Sequence, residues 1–155
     1  MNAIDDPEKR LAERGLLLPP PVTPLGAYVE ALQTGNLLFL SGILPMSEGK
    51  PKYRGRLGAE LDAEQGRAAA ELTALNALAI AKEYLGSLRR IVRVVRHSIL
   101  IATHGDFFDQ PRVADGASEL LRDAFGGELS VRLVYGVASL PVGVPVLLEL
   151  IFEVS

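Results

Sequence analysis

The chain has 155 residues, 48% of them hydrophobic and 23% charged, with a formal net charge of −3 and no cysteine. A chain of this length folds as one domain and buries roughly 70% of the surface its unfolded form exposes, enough for an ordinary core. The missing cysteines exclude disulfides, thiolate nucleophiles and cysteine-ligated zinc, and fit a reducing compartment.

The opening MNAIDDPEKR is acidic and polar, unlike a secretory signal. Residues 6–14 read as a short helix, with Pro7 in the first turn and Leu11 as its apolar contact. Three leucines and three prolines over 16–21 then predict an extended connector, because successive prolines neither donate to a ladder nor continue a helix. Apolar runs at 26–33 and 37–41, parted by Thr34-Gly35-Asn36, predict a β-hairpin. The polar, glycine-rich 47–58 segment reads as a loop.

Asp62 opens the strongest helix, forming a capping pair with Gln65. Ala70, Leu72, Ala74, Leu75, Leu78, Ala79 and Leu85 supply its apolar stripe, and Gly86 its C-cap. A strand rich in Val and Ile follows over 91–102. A second amphipathic helix over 112–125, through Val113, Ala117, Leu120, Leu121 and Ala124, ends at Gly126-Gly127. Strands at 131–138 and 144–154, joined by 139–143, close the chain. The most apolar stretch, 142–154, contains Pro145, Glu149 and Glu153 and falls far short of the ~20 uninterrupted apolar residues that span a bilayer. No membrane association is expected, and a cytoplasmic location is.

The order is β-β-α-β-α-β-β after a leading helix. It predicts an α+β domain in which one sheet carries two helices on one face. The last strand is apolar on both sides: Val144, Val146, Leu148, Leu150, Phe152 and Val154 alternate, while Leu147 and Ile151 face the other way. Its second face needs a cover, and a partner subunit is the simplest one.

Motifs for chemistry are sparse. Walker, G-x-G-x-x-G and G-x-S-x-G elements are absent. The two histidines, His97 in a strand and His104 in a turn, lack a third ligand at metal-binding spacing, so no metal is expected and a structural role is the first reading of both. Arg89, Arg90, Arg93 and Arg96 interleave with apolar residues, as a half-exposed strand does. With an acidic overall balance this argues against a nucleic-acid partner. Arg132 stands out, because the stretch from Ser130 to Pro141 is otherwise uncharged. Its guanidinium must reach solvent or meet an anion. On the residues alone, a salt bridge within the chain or a snorkelling edge position is the first reading. A planar fork also suits bidentate capture of a ligand carboxylate.

Four elements together resemble the Rid (reactive intermediate deaminase, YjgF-like) family. They are Gly26-Ala-Tyr28 followed by Gly35 to Gly42 and Pro45, the Gly66 to Leu88 helix through Asn76, Asp106-Phe107 before the second helix, and Arg132 ahead of Leu140-Pro141. The 10–19 stretch and Val113-Ala-Asp-Gly-Ala-Ser118 are similar to those of a divergent subgroup, in which 1–24 form an N-terminal extension of a single domain over 1–155. The resemblance implies a fold like trimeric chorismate mutase, a homotrimer with clefts between subunits, and a cofactor-free hydrolase acting on C=N. Such an enzyme converts 2-imino or 2-enamino acids to 2-oxo acids and ammonia. By that resemblance Arg132 holds the substrate carboxylate and Tyr28 and Ser41 line the cleft, while Asp115 stands where an asparagine is usual. The family's water-positioning glutamate falls at Leu147. Glu149, on the same strand face, is the candidate substitute, although ~6–7 Å along the strand is a large displacement for catalytic geometry. That departure keeps a second reading open: a non-catalytic trimer that senses or sequesters a small carboxylate. Some relatives also carry endoribonuclease or translation-inhibitor labels.

Overall fold

The computed structural model describes residues 6–155; the first five residues of the expected N-terminal extension lie outside the described residues. Five strands form one sheet in the order β1-β2-β7-β5-β6, with helices on one side of it. They are β1 (Ala31–Thr34), β2 (Leu37–Leu40), β5 (Ile91–Ala102), β6 (Val131–Val137) and β7 (Val146–Val154). The fold is the mixed α+β arrangement expected, with α1 (Pro7–Glu13) as a third helix beside α2 (Ala63–Leu85) and α3 (Gln110–Ala124). Two two-residue strands, β3 (Met46–Ser47) and β4 (Lys50–Pro51), make a separate small hairpin within the segment expected to be a loop.

Local sequence accounts for most boundaries. Asp62 accepts from the Gln65 amide at 2.8 Å while Gln65 accepts from the Asp62 amide at 2.9 Å, a closed capping box that starts α2. Gly86 ends α2 at φ 80°, a left-handed conformation that only glycine adopts without penalty. The first strand is shorter than the 26–33 expected. Tyr28 donates its amide to the Gly26 carbonyl at 3.0 Å and its hydroxyl accepts from the Leu25 amide at 3.1 Å, so a local turn replaces the ladder there. Helix α3 begins before Arg112 because Pro111 fits the first turn, where its missing N–H has no role. Strand β7 starts after Pro145, which accepts from the Ala102 amide but has none to donate.

The core lies between the sheet and the helices. Val146, Leu148, Leu150, Phe152 and Val154 face inward from β7, and Ile99 and Ile101 from β5. Residues 73–81 of α2 are buried all round, because the sheet, α3, the Leu44–Met46 segment that Asn76 bonds and the N-terminal segment enclose the helix together. Leu11 of α1 is 1% exposed, Leu16, Leu18 and Val22 pack against the same core, and Lys82 pairs with Glu8 at 2.7 Å. The leading segment is therefore built into the core. On the opposite sheet face Leu32, Phe39, Val131, Leu133 and Tyr135 stay exposed, with Leu147 and Ile151 partly so.

Helices α2 and α3 approach closely at Gly116. A Cβ at that position would lie 2.2 Å from the Arg67 carbonyl oxygen, which belongs to backbone and cannot swing aside. Gly116→Ala is expected to push the helices apart and lower stability by about 2–3 kcal/mol, measured by urea unfolding at fixed protein concentration. Unchanged stability would show that the helices do not need this contact.

Candidate functional site

Strands β5 and β6 run parallel with His97 directly beside Arg132, so both side chains emerge on the helix-covered side. Helix α3 crosses above them and offers Asp115, Ser118, Glu119 and Arg122 along one face, spaced three, four and seven residues from Asp115. Between them lies a cleft of about 280 Å³, closed at its other end by Glu128, Leu129 and Ser130.

The hydrogen bonds in this cleft form one connected set. Ser118 donates to the Ala114 carbonyl at 3.1 Å, one turn back in α3. Ser118 Oγ also accepts from Arg132 Nη1 at 3.2 Å and lies 2.8 Å from His97 Nε2, while His97 Nδ1 lies 2.7 Å from Ser130 Oγ, so each ring nitrogen has a serine partner. The ring is only 4% exposed. Burial first, and the nearby Arg132 charge second, push its pKa down to about 4.

Arg132 also donates from Nη1 to Asp115 Oδ1 at 2.6 Å. The salt bridge that the residues alone suggest is therefore present, and it lies at the cleft wall. Its side chains are 29% and 43% exposed, so solvent screens the pair and it contributes about 0.2–1 kcal/mol. A ligand can rearrange it at small cost. Nε and Nη2 of Arg132 have no hydrogen-bond partner among the described residues.

The other residues singled out in the sequence lie elsewhere. Ser41 follows β2 and donates to Glu30 at 2.7 Å, while Tyr28 is exposed in the turn before β1. Neither lines the Arg132 cleft. Glu149 of β7 pairs with Ser98, one residue on from His97, and so points to the uncovered sheet face, away from Arg132. Leu147 shares that face, and a Cβ on Gly42 would come within 3.0 Å of it. One chain brings Arg132 and Asp115 together and leaves Tyr28, Ser41 and Glu149 apart from them.

His97, which the sequence reading gave a structural role, lines the cleft with Ser118 and Ser130, to which that reading gave no role. The available signal was alternation: His97 shares the inward positions of β5 with Ile99 and Ile101, and a polar group there needs partners.

The site is thus an arginine-bearing cleft at the edge of a one-sheet α+β domain whose helices lie on one side. Residues 8–154 match the family described as "YjgF/chorismate_mutase-like, putative endoribonuclease". Protein TCP17 of Trypanosoma cruzi is 35% identical over 147 residues, covering 94% of this chain and 92% of that protein. A Shewanella oneidensis crystal structure bearing the same endoribonuclease label is 35% identical, with a TM-score of 0.92 over 96% of this chain and 99% of that one. An Agrobacterium tumefaciens structure of unknown function is 37% identical, with a TM-score of 0.90 over 96% and 92%. E. coli TdcF, solved with bound serine, shares the fold at 21% identity over 89% of this chain and 94% of that one, with a TM-score of 0.64. The chain belongs to the YjgF-like, or Rid, family.

The buried imidazole makes stability depend on pH. Its folded pKa of about 4 lies below the unfolded 6.5. The stability is complete above 6.5, is lost as pH falls toward 4, and changes no further below it. Wild type is expected to lose about 3 kcal/mol more than His97→Gln across that window in urea unfolding. Parallel curves for the two proteins would place the ring in contact with water.

Proposed function

We propose that this chain forms a cytoplasmic homotrimer that hydrolyses reactive 2-imino or 2-enamino acids to 2-oxo acids and ammonia, without a cofactor, at clefts built around Arg132. The observation that supports this most is the Arg132 guanidinium at the wall of a small-molecule-sized cleft, with two of its nitrogens uncommitted. These would hold the substrate carboxylate. Water adds to the C=N carbon, and as that carbon regains its carbonyl the C–N bond breaks and nitrogen leaves as ammonia. No helix among the described residues is long and apolar enough to cross a membrane.

The trimer reading draws on two facts. The uncovered sheet face carries exposed apolar side chains of the kind a partner buries. Arg132 stands on edge strand β6, while Tyr28 and Ser41 flank the opposite edge formed by β1 and β2. A head-to-tail ring of three subunits brings the two edges together, and it is by this route that Tyr28 and Ser41 would join Arg132. Glu149 would hold the water only where the ring brings it to a neighbour's Arg132, since within one chain it points away.

A second reading is a non-catalytic carboxylate sensor or sequestering module. Leu147 favours it, together with the placement of Glu149 on the side of the sheet away from Arg132. An RNA-directed activity is supported by the labels of relatives alone. In the basic stretch, Arg89 pairs with Asp6, Arg90 with the Ser155 carbonyl, and Arg93 with Glu153.

Ammonia release from 2-iminobutyrate generated in situ tests the first reading. Wild type is expected to exceed buffer, and Arg132→Ala to lose about 100-fold in kcat/KM, the scale of one charged hydrogen-bond pair. Wild type no faster than buffer would sink the enzyme reading. Binding of 2-oxobutyrate that is lost in Arg132→Ala, with no turnover in either protein, would establish the sensor. A solution mass equal to one chain at all concentrations would remove the trimer.

A further inference from the structure

We infer that the run from Lys50 to Arg56 is a docking surface for an acidic, extended segment of another protein. Lys50-Pro-Lys52-Tyr-Arg54-Gly-Arg56 holds four of the 16 lysines and arginines and no carboxylate, in a chain whose net charge is −3. The run shares no residue with the Arg132 cleft, and the inference goes beyond the reading of that cleft.

Exposure alternates along the run. Lys50, Lys52 and Arg54 are exposed, whereas Pro51 and Tyr53 between them are partly buried, with Tyr53 packed against the core. Gly55, at φ 120°, then turns the chain, and Arg56 is partly buried. Backbone bonds to three separate segments hold the run in place. The Lys52 amide donates to the Pro45 carbonyl at 3.0 Å, the Gly55 amide to Gly143 at 2.9 Å and the Leu57 amide to Ala102 at 2.9 Å. A partner therefore meets a surface that is already ordered, so docking costs little backbone freedom on this side. Alternate side chains of an extended chain stand ~6–7 Å apart on one side, and a partner strand with an acid at every second position repeats at the same distance.

Charge points the same way. Elsewhere cations meet carboxylates of their own chain, as Arg67, Lys82, Arg89, Arg112 and Arg132 do. Lys50, Lys52 and Arg54 have no ion pair among the described residues. Lys52 lies 5.9 Å from the centre of the Tyr53 ring, a contact that leaves its charge in place. Glu48 precedes the run and Glu60 follows it; Glu60 accepts from the Arg56 amide at 2.9 Å, so Arg56 has an acid beside it. The segments to which the run is bonded, 43–47, 101–104 and 139–145, contain no acid, and His104 is their one titratable side chain. A nucleic-acid strand also repeats negative charge, but proteins that hold single strands join a basic track to exposed rings on which bases stack. The one aromatic ring of this run is turned onto the core. Charge without a stacking platform fits the carboxylates of a peptide.

Fluorescence anisotropy of a labelled peptide of alternating Glu and Thr, titrated with the full chain at low salt, tests this. Wild type is expected to bind the peptide and to lose affinity as salt rises. A variant carrying Lys50→Gln, Lys52→Gln and Arg54→Gln is expected to bind at least ~10-fold more weakly. A control carrying Lys9→Gln, Arg89→Gln and Arg112→Gln has the same net charge and is expected to stay within about twofold of wild type. Thermal melts check that both variants fold, and the comparisons on wild type stand without them. No binding by wild type at low salt, or an equal loss in the two variants, overturns the inference. Tighter binding of an oligouridylate of equal length overturns it too, by assigning the surface to nucleic acid. A solution mass that changes in the Lys50, Lys52 and Arg54 variant also overturns it, by assigning the surface to a second copy of this chain.

Discussion

The parallel pairing of β5 with β6 is the constraint from which the cleft follows. Antiparallel neighbours can be joined by a tight turn, but parallel ones need a crossover, and here the crossover is α3. The helix must pack over the face it crosses. Its Asp115 and Ser118 therefore lie above Arg132 and His97, which the strand register has already set side by side. Close approach of α3 to α2 at Gly116 fixes how deep that packing goes. The site is thus a product of strand direction and helix spacing, closed by the loop residues Glu128 to Ser130.

Arg132 is held between competing demands. A guanidinium in an uncharged strand needs an anion, and Asp115 supplies one from its own chain. Full burial of the pair would have made it a fixed structural element, with a large penalty for removing either partner. At partial exposure it instead remains a weak pair whose members can turn to a third charge. The neighbouring His97, buried and neutral, adds no charge of its own to that balance.

Elements defined by local chemistry were legible in the sequence. The Asp62–Gln65 box, the Gly86 stop and the Val- and Ile-rich 91–102 strand depend on residues near one another in the chain, and each stands where it was expected. The Tyr28 turn and the β3–β4 hairpin were not legible, because short apolar and polar runs do not reveal which backbone groups find partners. At the site, the isolation of Arg132 in an uncharged stretch was visible. That Asp115, 17 residues earlier, is its partner depends on how the crossover helix sits. The His97 contacts with Ser118 and Ser130 depend on register for the same reason, since residues 21 and 33 positions apart meet only after the sheet forms. Glu149 shows the limit of strand-face reasoning. Parity along β7 placed it with Leu147, correctly, but which face Arg132 occupies on another strand is set by pairing alone.

The burial of His97 has a consequence beyond the cleft. Burial first, and the Arg132 charge second, hold the ring uncharged until the pH falls toward about 4, which separates the pocket from ordinary drifts in acidity. A histidine free to titrate at this depth would make the pocket more positive with each modest fall in pH. This one leaves the pocket with the same face whether the surroundings are resting or stressed.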